Sequence, residues 1–174
     1  PLKEVAGIKA LGGDQTQQRA WFESWMKVAE RVRRLGEADE AVGHTLSAGR
    51  KYMRSGLYFL LAERMPSHKD PRRVEAFKRG IATFRRGLEC RKEPVDYVEV
   101  PFGEHRLKAL FSKAPGTGPM PCMVHFDGLD VTKEIIYAAI ADEFRRRGVS
   151  MLIVDHPGAG EALRLHGLPS GPDT

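Results

Sequence analysis

Two short stretches hold most of the residues able to do chemistry. Asp127-Gly128-Leu129-Asp130 is followed closely by Lys133 and Glu134, and Asp155-His156-Pro157-Gly158-Ala159-Gly160 runs into Glu161. Each stretch follows a short apolar run, Cys122 to Phe126 and Ser150 to Val154 respectively. Such runs read as strands, and ligands on parallel sheets sit beyond the carboxyl ends of the strands. Gly158-x-Gly160 has the start of a dinucleotide-binding turn. A full fingerprint needs a third glycine at position 163, where Leu163 stands, so that signal is weak. The six histidines, His44, His68, His105, His125, His156 and His166, show no metal-ligand spacing. His125 lies inside an apolar run and reads as a hydrogen-bonded core residue, whereas His156 stands beside the expected pocket. Tyr52, Tyr58 and His44 could reach over a substrate, although a helical-core role is the stronger reading.

The elements that must position these loops follow from periodicity. Between the two runs, Ile136, Ile140 and Phe144 recur every four residues, with Ile135 and Ala139 beside them, which predicts a helix with one apolar face. Arg145, Arg146 and Arg147 suit its last turn, and Gly148 can take the left-handed stop. Strand, helix and strand make a βαβ unit with parallel strands and a right-handed crossover. Upstream, Val95 to Val100 and His105 to Ser112 alternate around a Pro101-Phe102-Gly103-Glu104 turn, which predicts an antiparallel hairpin.

Before Pro94 the period is helical. Residues 1 to about 13 read as a loose lead-in. Asp14 is placed to cap a helix ending at Gly36, with Trp21, Trp25, Val28 and Val32 on one face. A short helix is expected over Ala38 to His44, and another from Ser47 to Met65 before Pro66. In the latter, Gly49 and Gly56 can admit a close neighbour. Asp70-Pro71 reads as an N-cap followed by proline at the first helical position. Val74, Phe77, Ile81, Phe84 and Leu88 then make the apolar stripe. The expected division is a helical domain over 1–93 and an α/β part over 94–174.

Composition excludes several classes. The chain has 174 residues, 41% hydrophobic and 29% charged, ordinary for a globular protein. No run approaches the about 20 apolar residues of a membrane span, and no hydrophobic signal core is seen, so the expected address is cytoplasmic. Cys90 and Cys122 are too few for a disulfide framework. The net charge of +5 invites nucleic acid, but the arginines alternate with carboxylates along helices and no recognition motif accompanies them. One hairpin and two parallel strands are too few for a finished α/β domain. The chain is therefore expected to be the amino-terminal part of something larger.

The order hairpin, strand, Asp127-Gly128-Leu129-Asp130-x-x-Lys133-Glu134, helix, strand, Asp155-x-Pro157-Gly158-x-Gly160-Glu161 resembles the opening half of an α/β-hydrolase. More narrowly, it is similar to the group containing 2,6-dihydroxypseudooxynicotine hydrolase, the fungal polyketide-shortening pigment hydrolases and the fermentation–respiration switch esterase-like protein. The segment Arg50 to Phe84 also resembles that group's helical region. The resemblance implies a lid-like helical domain before the hydrolase core, and a serine hydrolase cleaving an ester or a carbon–carbon bond next to a ketone. It implies that Leu129 offers a backbone N–H to the oxyanion, with Gly128 giving the turn its freedom. Asp127, Asp130, His156, Glu161 and Tyr58 are the expected substrate-binding residues, while Lys133 and Glu134 read as loop-bracing. Asp155 is either a buttress of the site's floor or a turn-capping carboxylate. No Gly-x-Ser-x-Gly elbow occurs, so the triad is expected downstream and this chain alone should be inactive. The implied partners are a small acyl or ketone substrate, the remaining C-terminal part of the hydrolase and a second copy in a homodimer. No cofactor, metal, nucleic acid or membrane is expected. The rival readings are a hydrolase-like binding module without the chemistry and a nucleotide-binding α/β domain using the Gly158-Ala159-Gly160 turn.

Overall fold

A computed structural model describes residues 14–67, 69–126 and 128–171. The lead-in, His68 and Asp127 lie outside the described residues. The chain divides into two compact units, Pro1–Glu93 and Pro94–Thr174.

Among its described residues the first unit contains three helices, α1 (Asp14–Ala41), α2 (Thr45–Ala62) and α3 (Pro71–Arg91). Helix α2 packs on both of the others. Phe22, Val28, Phe59, Leu60, Phe77 and Phe84 are buried at its core. Asp70 caps α3 as its spacing requires, accepting the Arg72 N–H at 2.9 Å with Pro71 at the first position. Gly36 does not end α1, which runs on to Ala41 and takes in the first part of the segment expected to be a separate helix. A Cβ at Gly36 would lie 3.0 Å from the Tyr52 ring, so glycine there makes room for a neighbour. Gly56 faces Gly80, and Gly49 faces Gly87, where α2 and α3 approach backbone to backbone. Glu63, buried after α2, accepts from the Arg73 guanidinium at 2.7 Å and 3.1 Å.

The second unit is a four-stranded mixed sheet in the order β1-β2-β4-β3, formed by β1 (Val95–Phe102), β2 (His105–Ser112), β3 (Cys122–Phe126) and β4 (Ser150–Val154). β1 and β2 form the expected hairpin, with Phe102 opposite His105 and Gly103 at φ +53° in the turn. β2 runs antiparallel to β4, and β3 runs parallel to it with Phe126 beside Val154. β4 is buried along most of its length. β3, at the sheet edge, exposes Val124 (51%) and Phe126 (62%), and His125 is half-buried.

The crossover is interrupted. α4 (Lys133–Ile136) passes through a π-helical turn, Tyr137–Ala141, into α5 (Asp142–Arg146). Its buried residues are Lys133, Glu134, Tyr137 and Ala141, while Ile136, Ile140 and Phe144 are half-buried and Ala139 is exposed. The π turn inserts extra backbone into one turn and so shifts the phase of the stripe that uniform 3.6-residue spacing predicts. Gly148 stops the crossover at φ +76°. A last short helix, α6 (Gly160–Arg164), follows β4.

Candidate functional site

Because β3 and β4 are parallel and in register, the segments leaving them start side by side. After β3 the chain makes a β-turn over Gly128, Leu129, Asp130 and Val131, closed by the Val131 N–H on the Gly128 carbonyl at 3.1 Å. Leu129 is at the second position of that turn, with its side chain 64% exposed. Among the described residues, no acceptor takes its amide. Asp130 is exposed beside it.

After β4 the loop is compact and buried. The Ala159 N–H donates to His156 O at 2.9 Å, and the Gly158 N–H donates to Leu168 O at 2.8 Å. Gly158 and Gly160 sit at φ +89° and +44°, the left-handed region that favours glycine. A Cβ on Gly160 would fall inside the Asp155 carboxylate, so glycine is required there twice over. His156 Nδ1 lies 2.8 Å from Pro157 O and therefore carries the ring proton in that contact. The imidazole also meets the Phe126 ring edge-on, with centroids 6.1 Å apart.

Asp155 joins the two segments. One carboxylate oxygen accepts the Lys133 main-chain N–H at 2.9 Å, and the other accepts the Glu161 main-chain N–H at 2.9 Å. The residues preceding α4 and α6, Thr132 and Ala159, make no side-chain cap. One aspartate thus serves the orphan N–H groups of two helix starts. Its own N–H donates to Lys108 O on β2 at 3.0 Å.

Lys133 is the second centre of the site. Its Nζ, fully buried, lies 2.9 Å from Asp155 Oδ2, 2.6 Å from Glu161 Oε1 and 3.0 Å from Glu134 Oε1. Burial opposes its charge, but the carboxylates of Glu134, Asp155 and Glu161 outweigh burial and hold the ammonium well above the ordinary lysine range. Glu134 is also fully buried, and neither of its oxygens takes a well-aligned hydrogen bond among the described residues. Burial pushes its carboxyl up, and the neighbouring Asp155 and Glu161 charges add to the rise against the pull of Lys133.

The sequence marks Lys133 and Glu134 only as loop-bracing, whereas in the fold Lys133 is a buried cation among three carboxylates. One signal was present: a lysine in the first turn of a helix stands at the wrong end of the dipole and so calls for a special partner. Of the residues expected to bind substrate, Asp130 and His156 lie on the two loops. Glu161 turns its carboxylate to Lys133. Tyr58 belongs to the helical unit, where its ring stacks at a tilt on Trp25, 5.2 Å between centroids. That unit also has a groove of about 510 Å³ bordered by Arg19, Asp70 and Arg72. Its arginines are already paired, Arg19 with Glu23 and Arg72 with Asp70. No group of metal-ligating side chains occurs among the described residues, and none of their helices is long and apolar enough to cross a membrane.

A helical amino-terminal region followed by this small mixed sheet is an arrangement found in α/β hydrolases. The chain matches proteins of that class in both sequence and fold. It is 28% identical over 161 residues to the α/β hydrolase pydG of an Acremonium species, covering 88% of this chain and 37% of that protein. It is 30% identical over 171 residues to the hydrolase acrC of Aspergillus aculeatus, covering 88% of this chain and 40% of the relative. The crystal structure of 2,6-dihydroxy-pseudo-oxynicotine hydrolase superposes with a TM-score of 0.74 at 24% identity, over 95% of this chain and 45% of that one. The chain thus spans about two fifths of the length of the curated relatives it matches. No family model matches it.

Proposed function

We propose that this chain furnishes part of an α/β hydrolase that cleaves an acyl bond, either an ester or a carbon–carbon bond next to a ketone. The Leu129 amide carries the reading. It sits on an exposed turn at the carboxyl end of β3, where a forming oxyanion can receive a main-chain N–H. Gly128, at a φ outside the left-handed region and with open space where a Cβ would stand, precedes it. Asp127, Asp130 and His156 are assigned to the substrate, which is a small acyl or ketone compound. Residues 1–93 act as the lid-like domain, and residues 94–174 form the first part of the hydrolase core. The serine nucleophile, its histidine and its acid come from the remainder of the hydrolase and form an acyl-enzyme in the usual two steps. That remainder is the partner this chain needs, and the assembled protein is a cytoplasmic homodimer.

The test is hydrolysis of a p-nitrophenyl ester by the full-length polypeptide and by residues 1–174 alone. Turnover confined to the full-length protein is the expected result. Equal turnover by both rules out the division of labour, and none by either rules out the activity.

A further inference from the structure

The turn that bears Leu129 is exposed, and its internal hydrogen bond leaves its orientation to whatever holds its ends. Its downstream end is held with unusual completeness. Two residues beyond Val131, Lys133 is bound by its main-chain N–H to one oxygen of Asp155 and by its ammonium to the other. The same ammonium reaches Glu161 at 2.6 Å, at the start of α6. Nothing in the helix itself calls for a cation here, since lysine in a first turn opposes the dipole. A methionine would fill the same volume without the cost of desolvation. What needs the charge is the gathering of Asp155, Glu161 and Glu134 into one buried space, where like charges would otherwise drive the two loops apart.

We propose that Lys133 is a positioning residue for the reaction: by tying the exit of the Gly128–Val131 turn to the Asp155–Glu161 loop, it fixes the direction of the Leu129 amide. The inference rests on the hydrolase reading above. An oxyanion donor acts on the transition state and hardly on bound substrate, so displacement of the amide lowers kcat and spares KM.

The experiment compares full-length wild type, Lys133→Met and Glu161→Gln on p-nitrophenyl acetate, with active sites counted by burst titration so that only folded molecules enter kcat. Lys133→Met is expected to lose tenfold or more in kcat, with KM moved less than about threefold. Affinity for a phosphonate or trifluoromethyl ketone inhibitor, which mimics the tetrahedral intermediate, should fall by a similar factor. Glu161→Gln keeps the size and an acceptor oxygen but removes one charge, and should show a smaller loss with the same split. A merely structural lysine would lower the titrated active fraction and leave kcat per site and inhibitor affinity unchanged; that result overturns the inference while the hydrolase reading stands. A wild type without burst or turnover overturns the hydrolase reading, and this inference with it.

Discussion

Asp155 and Lys133 are joined twice, the carboxylate accepting both the main-chain N–H and the ammonium of the same residue at 2.9 Å. Both partners of these two hydrogen bonds are buried, so neither group can fall back on water. Asp155→Asn keeps the shape but puts an amide nitrogen where an acceptor is needed, opposite either the lysine or the Glu161 N–H. Removing one partner of a buried pair typically costs about 3–5 kcal/mol. Urea unfolding should show a loss of that order. Asp142→Asn, which touches a solvent-exposed pair with Arg145, should leave the midpoint unchanged.

Glu134 makes stability depend on pH in the direction opposite to most carboxylates. Its folded pKa is raised above 4.5 by burial and by the Asp155 and Glu161 charges, so the folded protein binds this proton more tightly than the unfolded chain. Its contribution is complete below 4.5 and is lost as pH rises through the raised value. Lys133 adds no slope there, because its own raised pKa keeps it charged past 10.5. Glu134→Gln stays neutral throughout. The variant should match wild type below pH 4.5 and become progressively the more stable of the two above it, in thermal unfolding followed by calorimetry. Parallel curves for the two proteins would mean that Glu134 has the same pKa folded and unfolded.

In the helical unit, Gly56 is one of the points where α2 and α3 pack backbone to backbone. A Cβ there would lie 2.8 Å from Gly80 O and equally near the main-chain nitrogen and Cβ of Phe84. None of these is the tip of a flexible side chain, so the helices themselves must separate. Gly56→Ala should cost about 1–3 kcal/mol by overpacking, despite alanine's better helix propensity. Both tryptophans, Trp21 and Trp25, lie in this unit, so their fluorescence during urea titration reports on it alone.

Much of the architecture was legible because local rules and tertiary packing agree. The change of period at Pro94, the hairpin, the two parallel strands and the Asp70-Pro71 start of α3 all follow from patterning. The misreadings share one physical source. Gly36 looks like a helix stop, yet its missing side chain accommodates Tyr52 from the next helix. The crossover helix reads as a stripe of Ile136, Ile140 and Phe144, yet Lys133 and Glu134 ahead of the π turn at Tyr137–Ala141, and Tyr137 and Ala141 within it, are the buried residues. In each case a partner distant in sequence decides what the residue does. The site was half legible: glycines and carboxylates after two strands marked the place, but the pairing of Lys133 with Asp155 spans 22 residues and leaves no periodic trace.

The oxyanion role of Leu129 can be tested without disturbing the turn. The second position of a β-turn accepts proline, and Gly128 before it has no Cβ to clash with the proline ring. Leu129→Pro therefore removes the amide hydrogen while the Val131-to-Gly128 hydrogen bond that closes the turn is kept. Leu129→Ala keeps the amide and removes only an exposed side chain. Loss of one oxyanion donor typically lowers kcat by about 10²–10³-fold. In the full-length protein, Leu129→Pro should fall by that order with KM little changed, and Leu129→Ala should stay within a few-fold of wild type. Equal activity of the proline and alanine variants would take the Leu129 amide out of the reaction. The donor would then have to be sought elsewhere along the same loop.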